Sequence, residues 1–245
     1  MKPFFLSILI FCLFPIFVIA DSEISEVGIK QVFVEKGNIY YLPEGKEAIQ
    51  LTDSGKDETP VLSPDGKIVA FIRKSAKEAY LAVGAPEDYP PEGLFADQIW
   101  IVNIDGSGEK MLVENKHPKD IQITPDVPRD DWVSYGLERT IAHIDSLQFS
   151  PDSKRLYFIT SAWVTSGAVH CVDVDGSNER FLMAGNSLEI IGEGRYKGYL
   201  IVRQHRYFLA GGSYDWLWLF TPDGEKEGPL GIDLDHQQRD FLYSD

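Results

Sequence analysis

Ten residues in the longer connecting stretches of the chain combine flat aromatic rings with charged groups. A ring offers an apolar surface on which a peptide or a sugar can lie, and neighbouring charges fix its orientation. The pattern therefore predicts a surface that binds a ligand or a partner. Its members are Tyr89, Asp126, Arg129, Asp130, Asp131, Trp132, Tyr135, Arg203, His205 and Tyr207.

Catalytic motifs are incomplete in this sequence. The stretch GGSYD (211–215) places Ser213 as in a nucleophile elbow, but Asp215 stands where the second glycine is required. A pair of carboxylates for glycoside cleavage remains an alternative, because acid and base can come from different parts of a chain. The acids available for it are Glu92, Asp126, Asp130 and Asp131. We expect no catalytic site.

The histidines and the cysteine indicate packing rather than metal binding. No two of the five histidines stand at metal-ligand spacing, so we predict no metal and no cofactor. His170 and Cys171 fall in strand-like columns of the repeats described below, where a packed position is expected. His143 with Asp145 stays a candidate polar site at the start of an inner strand.

Composition narrows the class of protein. Lys2, an apolar run from Phe4 to Ile19 and a small residue at Ala20 predict a secretory signal peptide, residues 1–20, cleaved near Ala20. The remaining chain has 22 basic and 38 acidic side chains, a net charge of −16, which disfavours nucleic-acid binding. We expect a periplasmic or secreted protein with no membrane span after cleavage.

Two families of repeated segments must position these residues. The first is NIYYLPEG (38–45), IWIVNIDG (99–106), VHCVDVDG (169–176) and LWLFTPDG (217–224). The second is TPVLSPDG (59–66), SLQFSPDS (146–153) and SLEIIGEG (187–194), each followed by another β-type run. Together they define a unit of four antiparallel strands, a to d, joined by short turns. Repetition of such units predicts an all-β fold, a small β-propeller of four blades.

Two stretches carry a family resemblance. SPDGKIVAF (63–71) and IWIVNIDGSGEKML (99–112) resemble the WD-repeat-like (WD40-like) propeller repeat of the TolB family of periplasmic proteins. The likeness covers most of residues 30–230. It implies a propeller fold and an exported, interaction-prone protein, although members of that family usually carry more blades.

The spacing of the repeats also predicts the domain organisation. Residues 21–245 should form one propeller domain with insertion loops at 80–97 and 116–142. The first unit lacks strand a, and RDFLYSD (239–245) matches PVLSPD of the second unit. A C-terminal strand that completes the first blade would then close the ring. A fifth blade within residues 107–145 stays open, since IQIT and WVSYGL could pair.

The two faces of a propeller differ in what they carry. Turns a–b and c–d lie on one face, and connections b–c and d–a lie on the other, which we call the insertion face. Both insertion loops and the stretch RQHRYFLAGGS (203–213) belong to the insertion face. Variable loops on a rigid scaffold often carry binding residues. We expect a non-catalytic protein that recognises a protein or peptide of the cell envelope there, with the oligomeric state left open. The alternative is a propeller enzyme that cleaves carbohydrate or peptide with loop carboxylates.

Overall fold

The regular secondary structure of the described residues is mainly antiparallel β-sheet. The computed structural model describes residues 31–78, 95–117, 121–123, 125–163 and 165–245. The predicted signal peptide (1–20), Tyr89 and Glu92 lie outside these residues. Of the helices in the described ranges, none is long and apolar enough to cross a membrane.

The described strands form four sheets in chain order. The first contains β1 (Val32–Glu35), β2 (Asn38–Tyr41) and β3 (Ile49–Gln50). The second contains β4 (Asp57–Leu62), β5 (Ile68–Glu78), β6 (Phe95–Asn103) and β7 (Lys110–Val113). The third contains β8 (Ile144–Phe149), β9 (Arg155–Ser161), β10 (Gly167–Asp173) and β11 (Arg180–Ala184). The fourth contains β12 (Ser187–Ile190), β13 (Leu200–Tyr207), β14 (Ser213–Phe220) and β15 (Lys226–Gly231). Each strand pairs with its sequence neighbour in the same sheet, so the predicted four-unit, all-β architecture is confirmed.

Successive sheets pack face to face because their central strands are apolar on both sides. On β5, Val69 and Phe71 face the first sheet, and Ile72 belongs to the cluster shared with the third. On β9, Phe158 lies in that same cluster, and Tyr157 lies in the cluster shared with the fourth sheet. Alternation along a strand therefore builds a separate core layer between each pair of neighbouring sheets.

The repeated Ser-Pro-Asp element is the turn between the first two strands of a sheet. Ser63 Oγ donates to Asp65 Oδ1 at 2.7 Å and accepts from the backbone N–H of Ile68 at 3.0 Å. Gly66 follows with φ +70°, a left-handed conformation that glycine adopts without a side-chain clash. These bonds close the turn locally, so the motif is structural.

The C-terminal strand predicted for residues 239–245 is wrong. Residues His236–Tyr243 form helix α2, which begins with a capping box between Asp235 and Gln238. Leu242 is buried beside Ile201 and Leu219 of the fourth sheet. The segment therefore covers a face of the fourth sheet, and the first sheet contains three strands among the residues that the structure describes. The backbone N–H of Gln238 donates to Asp235 Oδ1, and the backbone N–H of Asp235 donates to Gln238 Oε1, which favours a helix over an extended chain.

The possible fifth blade within residues 107–145 is not formed by the pairing considered for it. Within the insertion at 116–142, residues Arg129–Asp131 form a 3₁₀ turn and Trp132–Arg139 form helix α1. An isolated bridge between Lys116 and Ile141 closes the base of the insertion. WVSYGL is therefore helical and pairs with no strand.

Candidate functional site

The fourth sheet carries a hairpin that extends beyond its outer strands. Strand β12 pairs with β13 only as far as Arg203, and β15 pairs with β14 only as far as Leu217. Between these limits β13 and β14 continue to pair with each other. We call residues 204–216 the arm. No other strand of the described residues pairs with either long edge of the arm.

Aromatic side chains follow one another along the arm from the core to its tip. Ring centroids lie 6.4 Å apart from Trp218 to Trp216, 5.5 Å from Trp216 to Tyr214 and 4.7 Å from Tyr214 to Phe208. Phe208 is 57% exposed and Leu209 at the tip is fully exposed. Large apolar side chains in a contiguous exposed group are typical of interaction surfaces. The arm therefore presents an apolar surface that is anchored in the core at Trp218.

The three predicted site residues of the fourth sheet lie at the arm or at its base. His205 and Asp215 face each other across the hairpin, with Nδ1 and Oδ1 2.9 Å apart. The Tyr207 hydroxyl lies 3.1 Å from Thr165 Oγ1 in the third sheet's b–c connection, which ties the arm to that sheet. Arg203 donates to the Ile232 carbonyl oxygen at 3.0 Å. Arg203 therefore holds the C-terminal segment, and only His205 and Tyr207 belong to the arm itself.

The remaining predicted residues lie together in the insertion at 116–142. Asp126, Arg129 and Asp131 are exposed in the stretch that leads into α1. Asp130 and Trp132 belong to the 3₁₀ turn and to α1, respectively, and their side chains lie outside the described set. The Tyr135 ring packs under the Arg139 guanidinium, whose carbon lies 3.5 Å from the ring centroid. This contact stabilises the helix. One face of the Tyr135 ring is therefore covered by Arg139 of the same helix.

An ionic cluster joins the second and third sheets. In it, His143 contacts a different carboxylate from the predicted Asp145. Asp97 on β6 is fully buried and accepts from Lys74 Nζ at 2.6 Å and from the Ile144 backbone N–H at 2.7 Å. His143 Nδ1 lies 2.7 Å from the same carboxylate, and its side chain is 63% exposed. Asp145 instead accepts from the backbone N–H of Ser146. The partner of His143 is therefore Asp97, a residue of another sheet.

Electrostatics at this cluster favour the charged forms of Asp97 and His143. Burial favours the neutral acid, but hydrogen bonds from His143, Lys74 and the backbone outweigh it and lower the pKa of Asp97. The hydrogen bond to Asp97 raises the pKa of His143, against a smaller opposing effect of burial. The arrangement is a buried carboxylate that orients a solvent-facing imidazole.

A cavity lies between the third and fourth sheets, on the face that carries the short a–b and c–d turns. We call this face the turn side. The volume of the cavity is about 770 Å³, and Arg155 lies in its wall. The Arg155 guanidinium contacts Asp173 at 3.3 Å and Asp223 at 2.9 Å, and it donates to the Pro222 carbonyl oxygen at 3.2 Å. Tyr157 also donates to Pro222 O at 3.0 Å. Nε and Nη1 of Arg155 are engaged in these contacts, so the network joins the two sheets.

Buried polar groups elsewhere agree with the packing that the repeats predict. Cys171 is buried and has no disulfide partner. His170 is buried in strand β10 between two phenylalanine rings. Among the described residues, no group of three or more histidine, cysteine or acidic side chains is placed to hold a metal ion.

Comparison with known structures agrees with this sheet arrangement. A dipeptidyl peptidase 4 from Porphyromonas gingivalis superposes with a TM-score of 0.50 at 12% identity, covering 81% of this chain and 30% of that chain. The tricorn protease superposes with a TM-score of 0.50 at 9% identity, covering 80% of this chain and 15% of that chain. The chain has a β-propeller fold. At such low identity the likeness shows the propeller fold alone, and this chain spans only a minor part of either protein.

No protein-family model matches the chain. The putative TolB from Agrobacterium tumefaciens superposes with a TM-score of 0.31 at 16% identity, covering 80% of this propeller and 75% of that chain. That value is too low to carry an argument about the TolB family. The resemblance noted in the sequence therefore holds for the propeller fold and no further.

One curated protein shares a short stretch of sequence. The beta subunit of a membrane-bound hydrogenase from Pyrococcus furiosus is 28% identical over 93 residues. The match covers 37% of this chain and 54% of that protein, so the chain spans about half the length of the relative. This extent is too small to assign a family.

Proposed function

We propose that the protein is an exported, non-catalytic interaction module that binds an extended peptide segment of a partner protein along the arm. One observation carries the proposal. The arm combines exposed aromatic side chains with strand edges that have no partner strand among the described residues.

The outer edge of β14 is the part of the arm that suits an added strand. Strand β15 pairs with this edge of β14 from Leu217 to Phe220. Residues 213–216 are the part of the same edge that β15 does not reach. A partner segment lying there would take the place of a longer β15 and gain backbone hydrogen bonds. Alternate side chains of that segment would reach Trp216 and Tyr214, and such pockets set specificity.

The chemistry of the arm also selects the kind of segment. Arg206 stands opposite Tyr214 in the hairpin and adds a positive charge next to the aromatic rings. The chain as a whole carries a formal net charge of −15. A segment with apolar side chains and an acidic residue would therefore complement the arm better than it complements the rest of the surface.

Export is supported by the sequence of the first twenty residues. The apolar run from Phe4 to Ile19 and the small residue Ala20 match a secretory leader, and a periplasmic or secreted location follows from it. Mass spectrometry of the native protein should show a mature chain that starts near Asp21. A retained leader would count against cleavage.

The proposed function is tested by photo-crosslinking from the tip of the arm. A photoreactive amino acid in place of Leu209, which is fully exposed, should form an adduct with a peptide segment of a partner. The same group in place of Val133 on α1, also well exposed, is the matched control. We expect the adduct from the Leu209 position only, and its loss when Phe208 is also replaced by serine.

Hydrogen exchange then decides how the segment binds. A synthetic copy of the crosslinked segment should slow exchange of the backbone amides in residues 213–216, because an added strand protects them. Equal adducts from both positions, or binding without protection of the arm, would overturn the proposal.

A further inference from the structure

A second candidate site lies where the insertion at 116–142 covers the third sheet. A cavity of about 420 Å³ opens there, a size in the range of small-ligand sites. Its wall includes Lys116, Ile121, Arg139, His170, Glu179 and Phe181. The cavity is separate from the arm and from the turn-side cavity at Arg155, because it shares no lining residue with either.

His170 in this wall is held rigidly and has an unused nitrogen. Its side chain is 1% exposed, stacks on Phe158 with centroids 5.4 Å apart and meets the edge of Phe181 at 5.8 Å. Nδ1 lies 2.8 Å from Glu179 Oε1, whereas Nε2 has no hydrogen-bond partner in the part of the chain that the structure describes. A buried polar atom without a hydrogen-bond partner is rare and destabilising, so a ligand that bonds to this nitrogen would stabilise the site.

The partner of Nδ1 decides what Nε2 can do. Hydrogen bonds from His170 and Lys116 outweigh the opposing effect of burial and lower the pKa of Glu179, so its carboxylate is ionised and only accepts. Nδ1 must then carry the proton of the neutral ring. Nε2 is left with a lone pair, and a ligand would satisfy it with an N–H or O–H donor.

The charged residues around the cavity favour an anion. Lys116, Arg139 and Arg180 line it together with one carboxylate, that of Glu179. Lys116 pairs with Glu179, and Arg180 contacts Asp223 at 2.8 Å. Arg139 lies over the Tyr135 ring and donates to the Tyr135 carbonyl oxygen at 3.2 Å, and its Nη1 lies 3.7 Å from Glu138 Oε2. Its side chain is 43% exposed, so a ligand carboxylate could reach the guanidinium from solvent and would compete there with Glu138.

We propose that this cavity binds a carboxylate whose neighbouring atom bears an N–H or O–H donor, as the last residue of a peptide does. The carboxylate would lie against Arg139 and Lys116, and the donor would bond to Nε2 of His170. Phe181 and Ile121 would contact the ligand's apolar part. A 2-hydroxy acid shares this chemistry, so the experiment includes both sources.

Calorimetric titration with four probes tests the chemistry. They are N-acetyl-alanyl-alanine, its C-terminal amide, lactate and propionate. We expect the dipeptide acid to bind at least about tenfold more tightly than its amide, because one charge-assisted contact is lost. Lactate should bind more tightly than propionate, which lacks the donor. Equal binding of acid and amide, or of lactate and propionate, would overturn the proposal.

Variants locate the site. Arg139→Gln should weaken the dipeptide acid at least about tenfold. Arg195→Gln is the matched control, since Arg195 also lies over a tyrosine ring, 5.7 Å from the centroid of Tyr196, outside the cavity. Phe208→Ser on the arm should leave this binding intact, so failure here is separable from failure of the proposed function. Equal effects of the two arginine variants would contradict the site.

Nitrogen-15 NMR of the imidazoles reads the proposed bond directly in the wild-type protein. The His170 signal, assigned by its absence in His170→Gln, should show the Nδ1–H tautomer, and its Nε2 shift should move on adding the dipeptide acid. An unmoved Nε2 shift of this signal at a saturating concentration of the dipeptide acid would overturn the proposed bond.

Discussion

Replacement of Leu242 by alanine tests whether the C-terminal helix is part of the fourth sheet's core. Leu242 is 2% exposed and packs with Ile191, Ile201, Leu217 and Leu219. Removing a fully buried leucine side chain leaves a cavity and typically costs about 2–5 kcal/mol. We expect about 3 kcal/mol of lost unfolding free energy, near the middle of that range.

The expected loss is large enough to measure in two ways. For a domain of this size, 1 kcal/mol shifts the melting temperature by about 2–4 °C, so Leu242→Ala should melt about 6–12 °C below the wild type. Urea unfolding followed by tryptophan fluorescence should show the same loss as a lower midpoint with an unchanged slope. Gln237→Ala is the control, because Gln237 is exposed on the same helix and should change stability by less than about 0.5 kcal/mol.

Hydrogen exchange shows which sheet the helix supports. In Leu242→Ala the amides of β12, β13 and β14 should exchange faster, because they lie under the helix. Faster exchange confined to β1 and β2 would instead support a C-terminal segment on the first blade. That result, or a stability equal to that of Gln237→Ala, would refute the packing described above.

Three further predictions concern other contacts. Gly194 has φ +75°, and a Cβ there would lie 2.4 Å from the Tyr243 carbonyl oxygen, so Gly194→Ala should destabilise more than Gly45→Ala, whose φ is +65° with open space around it. Left-handed backbone alone costs each variant about 1–2 kcal/mol, and equal urea midpoints would argue against the contact with α2. Because its folded pKa is raised, His143 should add stability at low pH, complete below the usual imidazole pKa of about 6.5 and lost as pH rises through the raised value. Melting scans from low to high pH should show this fall in the wild type and not in His143→Gln, and parallel profiles would contradict it. Burial raises the pKa of the Cys171 thiol, so with Cys12 replaced by serine a thiol reagent should label the protein only as it unfolds in urea. Rapid labelling of the folded protein would show that Cys171 is accessible.

Local signals in the sequence predicted the sheets well. Ser-Pro-Asp and Asp-Gly turns close on their own atoms, so the strands around Gly66 and Gly176 could be placed from sequence. The C-terminal segment differs from the prediction because RDFLYSD resembles a strand of the second unit over only seven residues. The capping pair Asp235 and Gln238, which starts helix α2, is the stronger local signal there.

The candidate sites were harder to predict because their partners come from distant parts of the chain. The sequence pairs His143 with the nearby Asp145, yet its carboxylate partner is Asp97 in the preceding sheet. His170 was correctly expected to be packed, but the unpaired Nε2 depends on how the insertion covers the sheet. The arm was included among the predicted connections. The edges of the arm are unpaired because β12 and β15 end before it. No residue pattern in the sequence predicts where these two strands end.

One turn residue has a consequence for how the sheets unfold. The second copy of the Ser-Pro-Asp turn has Ser153 where the first has Gly66, and Ser153 adopts φ +62° despite its side chain. Its Oγ accepts from the backbone N–H of Asp65 at 3.0 Å, in the corresponding turn of the preceding sheet. The serine that replaces the glycine of the repeat therefore links its own turn to the turn of the neighbouring sheet. In an array of blades such a link makes adjacent units melt together instead of one at a time.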